Sequence, residues 1–155
     1  MSIIGKRKIW VGPADDANCH PLIVEGLAVD AITPGSIVEQ VSGGLQTLST
    51  AATIFGAECL VALEYGCHTG GTVDVDYAIG DNTLAGQARS GEFYNALVAT
   101  GQALTKGMPL SSNADGTLKI AVTPAVVGAT SEQVLFYSDE TVTTTAAQLV
   151  RVRKA

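Results

Sequence analysis

Thr33-Pro34-Gly35-Ser36-Ile37-Val38-Glu39-Gln40-Val41-Ser42-Gly43-Gly44-Leu45-Gln46-Thr47-Leu48 is the stretch that decides the fold class. Pro34 at position i+1 and Gly35 at i+2 spell a type II turn. The β-branched run that follows predicts a strand, and Ser42-Gly43-Gly44 folds it back as a hairpin onto Leu45-Gln46-Thr47-Leu48. A turn, a short strand, a tight turn and a second short strand within sixteen residues leave no room for a helix of ordinary length.

The same rhythm extends in both directions. Upstream, Leu22-Ile23-Val24 and residues 27–32 read as strands separated by Glu25-Gly26. Downstream, residues 58–65 predict a strand ended by Gly66. Thr72-Val73-Asp74-Val75-Asp76-Tyr77 alternates strictly, which predicts a strand with Val73, Val75 and Tyr77 on one face. Asn113-Ala114-Asp115-Gly116 turns between Met108-Pro109-Leu110 and residues 117–122, and the last strands are predicted over 133–137 and 148–153. Residues 90–99 read either as a short helix capped by Ser90 or as a strand, and residues 50–56 are equally ambiguous. Composition agrees with β structure. Val, Ile and Thr total 41 residues against 18 for Lys, Glu and Gln, so the side chains that cover exposed helix faces are scarce. The expectation is an all-β chain: a small β-barrel or sandwich-like domain over residues 21–155, ending in a basic strand, preceded by an extended N-terminal arm over residues 1–20. In that arm Gly5, Gly12 and Pro13 break the short extended pieces around the only tryptophan, Trp10, and it is expected to order mainly on binding.

The chain has 155 residues and a formal charge of −6, enough length for one domain with a core that needs no disulfide or metal. Its charges are segregated. Lys6, Arg7 and Lys8 lie near one end, and Arg151, Arg153 and Lys154 at the other. Residues 9–150 hold three basic and fifteen acidic residues, a net −12, while the two ends together carry +6. Basic ends can merely solubilise a chain, or they can dock on an acidic surface. Six dispersed charges are too few for nucleic-acid binding. No apolar segment follows the N-terminal charges as in a signal peptide. The longest uncharged run, residues 40–57, is too rich in Gly, Ser, Thr and Gln to span a membrane. A soluble protein made in a cytoplasm is therefore expected, and an odd count of three cysteines fits that compartment.

Candidate chemistry is thin. Cys19-His20, Cys59 and Cys67-His68 include no metal-type C-x₂-C or H-x₃-H pair, and neighbours on a strand face opposite ways, which disfavours both zinc and a Cys–His dyad within either pair. Asp74 and Asp76 could serve as paired carboxylates for glycoside cleavage or calcium, but a solvated strand face explains them as well. No phosphate-binding or nucleophile-elbow motif occurs. No catalytic residue, cofactor site or metal site is assigned.

Four segments carry a family likeness: Pro34-Gly35-Ser36-Ile37-Val38-Glu39, Gly80-Asp81-Asn82-Thr83, the run Gly101-Gln102-Ala103-Leu104-Thr105-Lys106-Gly107-Met108-Pro109-Leu110-Ser111-Ser112-Asn113-Ala114-Asp115-Gly116-Thr117-Leu118, and the basic end Leu149-Val150-Arg151-Val152-Arg153. In this order, across residues 25–153, the chain resembles the capsid decoration (cement) proteins of tailed bacteriophages. The resemblance implies a non-enzymatic virion protein without a cofactor, made in the host bacterial cytoplasm. It would bind the major capsid protein on the outer surface of the head, usually as a homotrimer, and contact neither nucleic acid nor membrane. The capsid-binding residues expected on charge and apolar character are Lys6, Arg7, Lys8, Trp10, Arg151, Arg153 and Lys154. The alternative is another virion β-module, a head fibre or tail domain that binds host glycans. The roles of Cys19, Cys59 and Cys67 stay open.

Overall fold

The computed structural model describes residues 6–12, 21–66, 71–122, 128 and 130–155. Among them the fold is all-β, as expected, with thirteen strands and no helix. The strands are β1 (Trp10–Gly12), β2 (Leu22–Leu27), β3 (Ile37–Val41), β4 (Gly44–Thr47), β5 (Leu60–Ala62), β6 (Asn82–Gln87), β7 (Phe93–Val98), β8 (Ala103–Leu104), β9 (Pro109–Ser112), β10 (Leu118–Ile120), β11 (Phe136–Ser138), β12 (Val142–Thr143) and β13 (Gln148–Lys154).

They form two rings. In the first, antiparallel neighbours run β2-β6-β5-β3-β4. The sheet closes on itself where Ala28 bridges Leu45 in parallel fashion and the Val29 N–H donates to the Leu45 carbonyl at 2.8 Å. Closure requires glycine at position 44, which has φ +150° and where a Cβ would lie 1.9 Å from the Leu27 carbonyl oxygen. In the second ring the pairings run β7-β10-β9-β11-β13 and return from β13 to β7. Only the β10–β7 contact, Leu118 opposite Val98, is parallel. The β7–β13 ladder, six residue pairs from Gln148↔Val98 to Arg153↔Phe93, is its longest. β12 and β8 make a separate two-stranded ribbon.

The rings share a core because the first barrel's strands are buried on both faces. Val38, Leu60, Ala62 and Ala85 cluster with Ala28, Ile32, Leu45 and Tyr77. Their sequence neighbours Ile37, Val61 and Leu84 point the other way, into a larger cluster with Tyr94, Val98, Leu110, Leu118, Phe136, Val150 and Val152. This two-sided burial explains why Leu60-Val61-Ala62-Leu63 is continuously apolar rather than alternating. Among the described residues one buried side-chain polar atom, the Trp10 Nε1, has no hydrogen-bond partner, and others are paired within the core. The Tyr77 hydroxyl donates to the carbonyls of Leu63 and Glu64 at 3.0 and 2.9 Å. The Glu92 carboxylate, 1% exposed, accepts from the Arg89 Nε and Nη2 at 3.0 and 2.6 Å.

The type II turn expected at Thr33-Pro34-Gly35-Ser36 is present, with the Ser36 N–H donating to the Thr33 carbonyl at 3.0 Å and Gly35 at φ +92°. It joins the two rings. The Gly35 N–H donates to Ala62 of the first barrel, and the Gly35 carbonyl accepts from Leu97 of the second, both at 2.8 Å.

Several local expectations are corrected. The alternating stretch 72–77 is not a strand: Thr72 bridges Tyr65 and Tyr77 bridges Ile32, and bends lie between. The Asp74 N–H donates to the Thr72 Oγ1 at 3.2 Å, a local turn that competes with ladder pairing. Val75 is accordingly 45% exposed while Tyr77 is buried. β2 runs unbroken through Glu25-Gly26 and ends at Leu27. Of the two readings left open for residues 90–99, residues 93–98 take the strand, because the β13 ladder overrides any local helical preference. Residues 50–56 form a turn, with the Ile54 N–H donating to the Ala51 carbonyl at 2.9 Å. Of the twenty residues assigned to the arm, the described ones, 6–12, are built into the domain. β1 lies against β7, Ile9 is fully buried, and its N–H donates to the Glu64 Oε1 at 2.8 Å.

Two stability predictions follow from this packing. Gly35→Ala forces an unfavourable backbone and sets a Cβ 2.3 Å from the Leu149 Cδ2 and 3.2 Å from the Asn95 carbonyl oxygen. Denaturant unfolding should show a loss of about 2–4 kcal/mol, and an unchanged midpoint would refute the joint. Ile9→Ala should lose about 2–5 kcal/mol, whereas a separate arm would leave the unfolding transition where it was.

Candidate docking surface

Pairing register brings the two basic ends of the sequence together. β7 lies between β1 and β13: Trp10 stands opposite Tyr94, and Tyr94 opposite Val152 on the other side. Asn95 secures the N-terminal segment, its N–H donating to the Ile9 carbonyl at 2.7 Å and its Nδ2 to the Lys8 carbonyl at 2.6 Å. Alternation along β13 buries Val150 and Val152 and turns Arg151 and Arg153 outward.

The cations brought together this way have different fates. Lys6, its side chain 15% exposed, is ion-paired with the Glu140 carboxylate, whose Oε2 also accepts the Arg151 backbone N–H at 3.1 Å. Burial lowers the Lys6 pKa from its ordinary value, and the hydrogen bond and charge of Glu140 offset only part of that. The Arg151 Nε donates to the Asp139 Oδ2 at 2.6 Å, and the Lys106 Nζ lies 3.2 Å from the Oδ1 of the same carboxylate. Burial alone would push the Asp139 carboxyl up, but the hydrogen bonds and charges of Arg151 and Lys106 outweigh it and hold the pKa below 3.8. Arg153 lies over the Tyr137 ring at 5.8 Å and Lys154 over the Phe136 ring at 5.9 Å. Arg7 is exposed, and Lys8, its side chain 66% exposed, comes no nearer than 4.0 Å to Glu64. Trp10 is half-buried against the shared core.

The seven expected docking residues thus divide. Arg7, Lys8 and Arg153 present charge to solvent, Lys6 and Arg151 are held by acids of the chain itself, and Trp10 and Lys154 lean on the chain's own apolar surface. Sequence reasoning missed Asp139 and Glu140. The signal was the antiparallel return from β11 to β13, where Ser138 faces Val152 and so sets the two acids beside Arg151. It also missed the buried Glu64 that receives β1.

The other chemical candidates are separated. Asp74 and Asp76 are exposed, Asp74 within the bends of residues 73–75 and Asp76 just after them. Burial pushes the Cys59 thiol up to about 12, against a smaller pull from Lys154, so it is a protonated core group at neutral pH. Cys19, His20, Cys67 and His68 lie outside the described residues. Among the described residues no group of three or more His, Cys, Asp or Glu is placed to hold a metal ion, and no helix is long and apolar enough to cross a membrane.

No family model matches the chain, and no curated protein matches its sequence. A solved structure is similar in fold: the head fiber gp8.5 N base in bacteriophage phi29, with a TM-score of 0.52 and 14% identity. The match covers 88% of this chain and 95% of that one, so the likeness of fold extends over most of both.

Acid should weaken the fold through the paired carboxylates. Asp139, Glu132 and Glu39 have pKa values below their ordinary 3.8, 4.5 and 4.5, so over that range the unfolded chain binds more protons than the folded one. Stability is then complete above the ordinary values and lost as pH falls through the depressed ones. Unfolding free energy should be level from neutral pH to about pH 5 and fall below it. Asp139→Asn should lower stability at neutral pH and make that fall shallower. An unaltered acid slope would show that the Asp139 network contributes nothing.

Proposed function

We propose that the chain is a structural, non-enzymatic module of a phage virion. It seats on the outer surface of the head through the face formed by β1, β7 and β13, and stabilises the shell as a decoration protein. The observation that carries this reading is the near-complete fold likeness to a head-fibre base, joined to the convergence of both basic ends on one sheet. In this reading the partner is the major capsid protein, the module is a homotrimer, and it is made in the host bacterial cytoplasm. It uses no cofactor and contacts neither nucleic acid nor membrane. Arg7, Lys8 and Arg153 supply the electrostatic contact. Lys6 and Arg151 hold the surface in shape, and Trp10 and Lys154 add apolar area at its rim.

A second reading, favoured by the solved neighbour being a fibre base, makes the module the foot of a head fibre whose other parts meet host glycans. Purified protein added to heads that lack it separates the two. A decoration protein binds in high copy with the symmetry of the shell and raises the heat resistance of the heads. A fibre base binds without stabilising them. Failure to co-sediment with heads at any salt concentration would sink both.

Charge substitution refines the test. Replacing Arg7, Lys8 and Arg153 together by Ala should weaken head binding and flatten its salt dependence while leaving the melting temperature near its starting value. Each exposed contact contributes only ~0.2–1 kcal/mol, and copies bound together multiply the effect. Lys6→Ala should do the reverse, lowering stability more than it changes the salt slope. A triple variant that keeps a steep salt slope would show that the three cations are bystanders.

A further inference from the structure

The first barrel carries a different surface from the one just assigned. Residues 9–88 contain no Lys or Arg, and residues 21–88 contain eight acids, of which Glu64 is buried beneath the N-terminal segment. At the closed end of this barrel three large apolar side chains stand in solvent: Leu27 at 54%, Val29 at 40% and Ile79 at 73% exposed. Leu27 and Val29 flank the buried Ala28, so alternation turns both outward. The turn that carries Ile79 is tied to the same residue. The Gly80 N–H donates to the Ala28 carbonyl, the Ala28 N–H donates to the Asp81 carbonyl, and the Ala78 N–H donates to the Asp81 Oδ2, each at 2.8 Å. Ile79 is therefore held out on a fixed turn rather than on a loop free to fold it away. Glu25, hydrogen-bonded by the Asn82 Nδ2 at 2.5 Å, stands beside Leu27 on the same side of β2.

We propose that this patch docks a basic polypeptide segment bearing apolar side chains. Charge complementarity selects that occupant. A barrel with no Lys or Arg in its sequence disfavours nucleic acid and anionic lipid, and the same patch of a second copy would bring two acidic barrels face to face. The apolar side chains fix the site, and the carboxylates fix the sign of what sits on it. The inference goes beyond the virion reading and does not depend on it, since it concerns the opposite barrel and is tested in solution.

The test uses the full chain and two synthetic peptides of equal charge, one alternating lysine with leucine and one of lysine spaced by glycine. Calorimetry and amide chemical shifts report binding. The lysine–leucine peptide should bind saturably, shifting residues 27–29 and 78–82, and the lysine–glycine peptide should bind at least about tenfold more weakly. Ile79→Ser should weaken the lysine–leucine peptide by a similar factor while leaving the melting temperature unchanged; Leu27→Ser provides a second variant should Ile79→Ser unfold. Equal binding of the two peptides, shifts centred on the second barrel, or no effect of either variant would overturn the proposal. So would a free protein that light scattering shows to self-associate in a manner abolished by Ile79→Ser, since a second copy would then own the patch.

Discussion

The two rings are joined through a turn four residues long. The backbone of Gly35 donates to the first barrel at Ala62 and accepts from the second at Leu97, and its missing Cβ is the space into which Leu149 packs. A hydrogen bond on either side of one residue fixes the spacing of the rings to the length of a peptide unit. The same spacing is held elsewhere by the Ile37 N–H donating to the Gly116 carbonyl at 2.8 Å and the Gly116 N–H to the Leu48 carbonyl at 3.2 Å. Tyr94 illustrates the close approach that results. Its ring lies on Gly86 of β6, where a Cβ would come within 2.7 Å of the hydroxyl. A bulky side chain at either glycine would part the rings and open the cluster that contains Ile37, Val61, Tyr94 and Val150. Close-packed interiors do not absorb such a displacement gradually.

Local signals in the sequence reached as far as local structure goes. The Pro34-Gly35 turn and the hairpin from β3 to β4 were legible because turn chemistry and strand pattern sit within a few residues of each other. The class followed from the same rhythm repeated along the chain. Ring closure was not legible. It rests on Ala28 meeting Leu45 in parallel, and no short-range pattern encodes a parallel contact between strands that are not joined by a hairpin. The alternation of residues 72–77 misled for a related reason. Period two states which face each side chain would take in a strand, but supplies no partner strand, and the Thr72 hydroxyl gives the backbone a local alternative.

The candidate docking surface was half legible. Charge counting found the two basic ends, and the fold sets them on either side of β7. It could not find which cations remain free, because that depends on pairs remote in sequence. Lys6 and Glu140 are 134 positions apart, and Asp139 gathers Arg151 and Lys106 from two further strands' neighbourhoods. Buried or half-buried pairs of this kind spend a cation on shape. Among the cations of the two ends, Arg7, Lys8, which meets Glu64 only at 4.0 Å, and Arg153 are left open to solvent.

The two barrels also handle their acids by different chemistry, and this sets the field of the molecule. In the second, most carboxylates meet cations: Glu92 meets Arg89, Glu132 meets Lys119, and Asp139 meets Arg151 and Lys106, while Asp115 accepts from Asn113 and Thr117. In the first, apart from Glu64, which faces Lys8 at 4.0 Å, those with partners meet neutral donors. Glu39 accepts from Gln46, Ser49 and Thr50, Asp30 from Thr47, Glu58 from the Gln40 N–H, and Asp81 from the Ala78 N–H. An ion pair largely cancels its own charge, whereas a carboxylate held by an N–H or O–H stays charged and keeps its field. Such bonds stabilise the ionised form: burial pushes the Glu39 carboxyl up, yet its hydroxyl and amide partners bring the net pKa below 4.5. The first barrel is therefore well ordered and negative at once, and the second is nearly balanced, with its remaining cations beside β7. Against an acidic surface this arrangement has one favourable orientation, second barrel inward and first barrel outward. Screening over ~8 Å at physiological salt confines the preference to the last stage of approach. Orientation is thus set by which acids lack a cation, a property that the net charge of the whole chain conceals.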